Sequence, residues 1–396
     1  MLKILQTGDL HLGKTLYEYG LDEDQEHMLN LIIQELGEWD YDVLLITGDI
    51  YDRSVPSQEA VRLFDNFLTS VHKKFPTLQV CFISGNHDSA TRLSYASTIL
   101  DALNIHITTN PEDCDKPFIL TSKEDEKFAL YQIPFLFAGN LRDDDGVILK
   151  SQEELIGESI KRINKAHTAL QASKTEYKTL PALLNTHLFT LAGQSSDSER
   201  ILLGTAELIN PTVFEGFAFT AIGHLHKKQK VSDRAYYAGS PLAYSFSEIN
   251  TEKAFLRLAI TENGTTLPAI EITEIPIVPL RKLVQITAAF DDFEKMIEHK
   301  DNFIEFTYTD TVIVENAAAR LRKVFPYLLS VKQLPKENLA KGEVDLIEKR
   351  TLFEKKDALN MSDIAKMFLE DVGEESNAEI ISLFETISKE VQNETN

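Results

Sequence analysis

Gly48-Asp49-Ile50-Tyr51-Asp52-Arg53 follows directly on the apolar run Val43-Leu44-Leu45-Ile46-Thr47. A short apolar run closed by glycine reads as a buried strand. A carboxylate at the end of such a strand is held rigidly and faces a crevice, which suits a ligand shared by two metal ions. The pattern recurs along the chain. Leu2 to Thr7 leads into Gly8-Asp9-Leu10-His11, and Val80 to Ser84 into Gly85-Asn86-His87-Asp88. Ala182 to Thr186 leads into His187, and Phe217 to Ile222 into Gly223-His224-Leu225-His226. Ligands in open α/β sheets gather at the carboxyl ends of strands, so one cleft can hold all of these groups.

Between the strand-like runs lie amphipathic stretches. Gln25 to Leu36 carries Met28, Leu29, Ile32, Ile33 and Leu36 on one face, as a helix requires. Ser57–Phe67, Thr91–Leu103 and a long stretch from Ser151 to Ala172 read the same way. The alternation predicts an α/β sandwich covered by helices on both faces, over residues 1–277. Two prolines in Glu274-Ile275-Pro276-Ile277-Val278-Pro279 interrupt strand pairing and mark a boundary. A βαβαβ pattern over 278–335 predicts a small second α/β domain. The remainder, 336–396, reads as a charged linker followed by two amphipathic helices. One carries Ile364, Met367, Phe368 and Val372. The other carries Ile380, Leu383, Phe384, Ile387 and Val391, with Ser376 and Glu379 as a capping box. These helices either dock on another protein or pack back on their own chain.

The 396 residues fit two or three domains, and a hydrophobic content of 43% is ample for packed cores. Met1 runs straight into a strand without a secretory segment. No apolar stretch approaches the roughly 20 residues that span a bilayer. Cys81 and Cys114 suggest no disulfide framework, and Cys81 lies within an apolar strand. The expectation is a cytoplasmic enzyme without membrane attachment. A formal net charge of -22 and a pI near 4.9 argue against broad, sequence-blind attraction to a phosphate backbone. A nucleic-acid substrate then needs a local patch, the metals or a partner protein.

Each histidine or aspartate motif is commonplace alone; their joint appearance, each after a strand, is not. Oxygen and nitrogen donors without thiolates disfavour a structural zinc site and favour Mn²⁺, Fe²⁺ or Zn²⁺ in a catalytic role. Two ions sharing a carboxylate clamp a phosphate, offset its charge and lower the pKa of the attacking water. Phosphoester hydrolysis is the reaction that fits. His27, His72, His106, His167 and His299 fall on helix-like or strand-like runs and read as structural or solvent-facing.

The set Asp9-x-His11, Gly48-Asp49-x-x-Asp52-Arg53, Gly85-Asn86-His87-Asp88, His187 and Gly223-His224-x-His226 resembles the calcineurin-like metallophosphoesterase superfamily. Its fold is a four-layer β-sandwich flanked by helices. Further stretches resemble the nuclease subunits of the bacterial SbcCD type: Pro56 after the Asp49 motif, Gly193-x-Ser195-x-Asp197-Ser198-Glu199-Arg200, Gly239-Ser240-Pro241-Leu242 and Ser245-Phe246-Ser247-Glu248. A capping domain and C-terminal helices fit that type.

The resemblance implies roles. Asp9, His11, Asp49 and His226 would hold one ion. Asp49, Asn86, His187 and His224 would hold the other, with Asp49 bridging. The ions would be two Mn²⁺, or Mg²⁺ or another divalent cation. His87 would act on the leaving oxygen or on phosphate charge, and Asp52 would accept a hydrogen bond from His87 and set its tautomer. The resemblance also implies a homodimer within a heterotetramer containing an SbcC-type coiled-coil ABC ATPase. Its substrates would be double-stranded DNA ends and hairpins. Its activities would be ATP-dependent 3′-5′ exonucleolysis and endonucleolysis in DNA repair, recombination and replication. Lys227, Lys228 and Lys230, with Arg53, Arg92 and Arg142, either steer a phosphate backbone or are ordinary surface cations. The rival is a small-molecule phosphodiesterase or phosphoprotein phosphatase, which accounts for the metal set and the acidity but not for the second domain and tail.

Overall fold

The structure is a computed structural model that describes residues 1–190 and 209–334. Strand β1 (Leu2–Thr7) is followed by a short hairpin, β2 (Thr15–Leu16) and β3 (Tyr19–Gly20), and by helix α1 (Asp22–Glu38). Then come β4 (Val43–Ile46), α2 (Gln58–Lys74), β5 (Gln79–Ile83), the short helices α3 (Ala90–Leu93) and α4 (Ser97–Asp101), and β6 (Ile105–Thr108). The second half runs β7 (Phe118–Thr121), β8 (Lys127–Ile133), α5 (Gln152–Ser173), β9 (Ala182–His187), β10 (Phe219–Gly223), β11 (Gln229–Ser232) and β12 (Ala235–Tyr237). Strands β13 (Ala254–Thr261) and β14 (Ala269–Pro276) return to the first half.

Two six-stranded sheets result, in the orders β14-β13-β1-β4-β5-β6 and β11-β12-β10-β9-β8-β7. The strands that carry the motifs are parallel within their sheets: β1 with β4 and β4 with β5, and β9 with β10. Their carboxyl ends therefore share one side of the molecule.

The β4 sequence shows why the motif strands lack polar alternation. Val43 and Leu45 point into the core between the sheets, with Ile4, Leu130, Leu183 and Phe219. Leu44 and Ile46 point the other way, onto Met28 and Ile32 of α1 and Phe64 and Phe67 of α2. A strand buried on both faces is apolar throughout. Helix α5 covers the outer face of the second sheet, setting Leu155, Ile156 and Ile163 against Tyr131, Ile133 and Leu184. The layers are helix, sheet, sheet, helix, as expected for this fold class.

Helix starts follow their caps. Ser57 accepts from the Ala60 amide at the start of α2, and Ser151 with Glu154 forms a capping box on α5. The helix expected over 91–103 is two. Ser94 Oγ donates to the Thr91 carbonyl, a local bond that competes with helix propagation, and Ala96 turns left-handed at φ 58° between α3 and α4.

Residues 283–333 form a three-stranded sheet, β15 (Leu283–Ala288), β16 (Phe303–Tyr308) and β17 (Leu328–Gln333), in that order. The first helical segment of the βαβαβ pattern, between β15 and β16, is a pair of 3-10 turns. The second is a short α-helix, α6 (Ala317–Leu321). Met1–Thr307 and Glu315–Lys332 make one compact unit, and Tyr308–Val314 falls in a second with Gln333 and Leu334. In that second unit the Gln333 side-chain amide donates to the Asp310 carbonyl. The linker after 335, both tail helices with their capping box, and the Gly193–Arg200 loop lie outside the described residues.

Candidate metal centre

Each motif sits at or just after the carboxyl end of its strand, and the loops there brace one another. Asp9 N donates to Gly48 O at 3.0 Å and His11 N to Asp49 O at 2.9 Å, so the loops after β1 and β4 run paired. Asp9, His11, Asp49 and His224 all adopt left-handed backbone, with φ of 52°, 45°, 47° and 104°. Such a conformation costs a non-glycine residue on the order of 1–3 kcal/mol and persists where surrounding structure over-determines it. Here the paired strand ends do so, and the turns aim the side chains into one cleft. The glycines of the motifs answer to crowding. A Cβ on Gly85 would lie 2.0 Å from Asp49 Oδ1, and one on Gly223 would lie 2.0 Å from Thr47 O.

The side chains converge on Asp49. Its Oδ1 accepts from the His87 amide at 2.9 Å. Its Oδ2 lies 3.6 Å from His11 Nε2 and 3.5 Å from His187 Nε2, between two clusters. In one, His11 Nε2 and His226 Nε2 are 3.0 Å apart, and donor atoms of Asp9, His11 and His226 lie within 4.8 Å of one another. In the other, Asn86 Oδ1 is 3.0 Å from both His187 Nε2 and His224 Nδ1. The structure thus brings together Asp9, His11, Asp49, Asn86, His187, His224 and His226. All are buried except Asn86 and His224, which are half-buried.

This donor set fits a pair of divalent cations. Asp9 spends Oδ1 on the His224 amide, while Oδ2 is buried without a hydrogen-bond partner. His187 Nδ1 donates to the Thr47 carbonyl at 2.8 Å. That fixes the tautomer, so neutral His187 turns the Nε2 lone pair toward the oxygens of Asn86 and Asp49. Lone pairs facing lone pairs need a proton or a cation between them. The titration behaviour agrees. Burial lowers the His187 pKa, but the Asp49 charge outweighs it and carries the imidazole up to about 9. Burial raises Asp49, yet His187, His11 and His87 together pull it well below the usual carboxylate range. Burial lifts Asp9 to about 7 and lowers His11 and His224 to about 3, keeping those imidazoles neutral, the form that ligates.

His87 lies beside this cluster, its ring edge-on to His11 at 4.7 Å between centroids. Its Nδ1 donates to the main-chain carbonyl of Asp52 at 2.8 Å. The carboxylate of Asp52, expected to accept that bond, pairs instead with Lys14 Nζ at 2.8 Å and lies 3.5 Å from His11 Nδ1. Asp52 still orients His87, through its backbone.

Four supporting residues have no part assigned from the sequence. The buried Asp88 carboxylate accepts from the amides of Gly85, Ile50 and Tyr51, tying the Asn86 loop to the Asp49 loop. Glu248 Oε1 lies 3.8 Å from His226 Nδ1, and its other oxygen pairs with Lys253 Nζ. Lys253 in turn donates to the His226 carbonyl at 2.8 Å. Lys14 is the fourth. Asp88 and Glu248 stand inside quoted motifs; Lys14 and Lys253 carry no sequence signal. Of the candidate cations, Lys228 pairs with Glu274, Lys230 with Asp233, and Arg142 donates to the Gly146 carbonyl. The other histidines keep to structure: His167 bridges Tyr131 and the Leu180 carbonyl, His27 meets the Val278 carbonyl and His106 pairs with Asp101. Among the described residues no helix is long and apolar enough to cross a membrane.

Residues 2–227 match the calcineurin-like phosphoesterase family. Over 365 residues the chain is 29% identical to the D subunit of nuclease SbcCD from Staphylococcus epidermidis, covering 89% of this chain and 92% of that one. Among solved structures, a dimetal phosphatase from Danio rerio aligns with 70% of this chain and 96% of its own, at 12% identity and a TM-score of 0.44. A Thermus thermophilus protein aligns with 64% and 93%, at 10% identity and a TM-score of 0.36.

Proposed function

Because the chain belongs to the calcineurin-like phosphoesterase family, we propose that it hydrolyses DNA phosphodiesters as the nuclease subunit of an SbcCD-type complex. The observation that carries the reading is Asp49 Oδ2 standing between two nitrogen-rich clusters, in a chain whose relative is a nuclease subunit over nearly its whole length. Asp9, His11, Asp49 and His226 would hold one divalent cation and Asp49, Asn86, His187 and His224 a second, manganese being the first choice. Cations bound there supply positive charge to the phosphodiester and lower the pKa of an attacking water.

The chain's own residues do the rest. His87 faces the reaction with its tautomer set. Nδ1 keeps its proton for the Asp52 carbonyl, so Nε2 is the nitrogen that exchanges a proton with the departing 3′ oxygen, as general acid in the imidazolium form. Lys14 holds the Asp52 carboxylate and so steadies the turn that carries this carbonyl. Asp88 fixes the spacing of the Asp49 and Asn86 loops through its three amide bonds.

The finer assignments belong to the same proposal: 3′-5′ exonucleolysis and hairpin opening under the control of an SbcC-type ATPase, in DNA repair, recombination and replication in the cytoplasm. Residues 1–277 form the nuclease domain, 278–335 the capping domain, and 336–396 dock the ATPase. Homodimerisation through helices of the phosphoesterase domain draws support from the exposed apolar residues Val61 on α2, Ile99 on α4 and Tyr95 just before α4. Engagement of Lys228 and Lys230 by carboxylates supports leaving much of the DNA contact to the ATPase; it equally favours the rival, a small-molecule phosphodiesterase or phosphatase. The deciding assay is manganese-dependent cleavage of hairpin DNA, with and without the ATPase partner. Hydrolysis of a nucleotide-sized diester or a phosphoprotein, with no cleavage of DNA in either case, would replace this reading by the rival.

A further inference from the structure

The loop after β8 carries an aromatic pair that the chemistry of the centre does not use. Phe135 lies against the Asn86 cluster, its ring 6.0 Å from that of His187 and 6.1 Å from that of His224, tilted 30° from the latter. Phe137 meets Phe135 edge-on at 4.8 Å and is 46% exposed. Its backbone is pinned. Phe135 N donates to Ser84 O, at the start of the Asn86 loop. The intervening Leu136 is buried, and its carbonyl accepts from Gln152 at the start of α5. Asn140 closes the turn by accepting from the Phe137 amide and donating back to its carbonyl.

An exposed phenylalanine on so rigid a loop loses little entropy when a second ring covers it. The occupant follows from the neighbour. A phosphodiester at the metal centre places its nucleobase one sugar away, and every base has a face that stacks on an aromatic ring whatever its sequence. We infer that Phe137, backed by Phe135, is a stacking platform for the nucleobase next to the scissile phosphate. The inference rests on the nuclease reading above. It also says which DNA is favoured. Bases inside a duplex are already stacked and paired, and unstacking them costs a few kcal/mol. Bases at a fraying end or a hairpin tip are available at once. The platform therefore selects ends and tips over continuous duplex without reading sequence.

The test is a cycle of two changes, using the full chain with manganese and its ATPase partner. Steady-state cleavage is measured on a hairpin and on the same hairpin with abasic sites at the tip, for the wild type, Phe137→Ala and Phe137→Trp. The wild type is expected to show a KM roughly 5- to 150-fold higher on the abasic hairpin, the range that one stacked base supplies. Phe137→Ala should show the raised KM on both hairpins and no ratio between them. Phe137→Trp should keep the ratio. A ratio that survives in Phe137→Ala would overturn the inference while leaving the nuclease reading intact. A wild type that cuts neither hairpin would overturn both.

Discussion

His87 is held by the main chain of Asp52: its Nδ1 lies 2.8 Å from the Asp52 carbonyl oxygen, while the Asp52 carboxylate turns to Lys14. A carbonyl only accepts, so the bond fixes one tautomer independently of the carboxylate. His87→Ala should lower turnover by roughly 10²- to 10⁴-fold, the usual worth of a positioned acid or base. Metal content measured on the same protein should stay at the wild-type value. A variant that comes out short of metal would move His87 among the ligands.

Asp49 should be the one side chain whose loss empties both half-sites. Its Oδ2 serves His11 on one side and His187 on the other, whereas the His224 ring belongs to the Asn86 cluster. Titration of Mn²⁺ into Asp49→Ala should show neither tight site, and His224→Ala should keep the site built on Asp9, His11 and His226. Retention of one tight site by Asp49→Ala would rule out the shared carboxylate.

Metal binding should strengthen with pH. His187 is raised to about 9 in the metal-free protein by the Asp49 charge, against the effect of burial. A ligating imidazole must be neutral. Between pH 7 and 9 binding therefore expels the His187 proton, and affinity climbs until that pKa is passed. Below pH 7 the Asp9 proton, retained through burial, must leave as well, so affinity falls more steeply. Calorimetry in two buffers of different ionisation heat reads the released protons directly. A proton count of zero at pH 7.5 would contradict this.

Asp88→Ala should destabilise the fold rather than only the chemistry. It leaves the amides of Gly85, Ile50 and Tyr51 without their acceptor, and each buried donor so stranded costs roughly 1–3 kcal/mol. Urea unfolding should show a loss of several kcal/mol. A loss below about 1 kcal/mol would mean that water replaces the carboxylate.

Gly85→Ala should damage the centre through backbone displacement. The added methyl would fall 2.0 Å from Asp49 Oδ1, so the two loops must part. Metal affinity is expected to drop more than tenfold, as read by titration. Wild-type affinity in Gly85→Ala would show that the loops yield freely.

Sequence alone located the five motif-bearing strands and the two outer helix layers, and proposed which residues line the centre. These are local facts: an apolar run of strand length, buried on both faces, then a glycine and a metal-competent side chain. The chain pattern also located α1, α2 and α5 through the spacing of their apolar residues. It missed the break between α3 and α4, because a serine that bonds its own turn looks like any other helix residue in a periodic pattern. Tertiary structure alone decided which atoms face which. Lys14 reaches Asp52, Lys253 reaches Glu248 behind His226, and Phe135 comes to rest against His187 and His224. Those pairings depend on how two sheets stack and where strands distant in sequence end. A residue's periodicity records its burial and its face, and carries no trace of the partner that folding sets beside it.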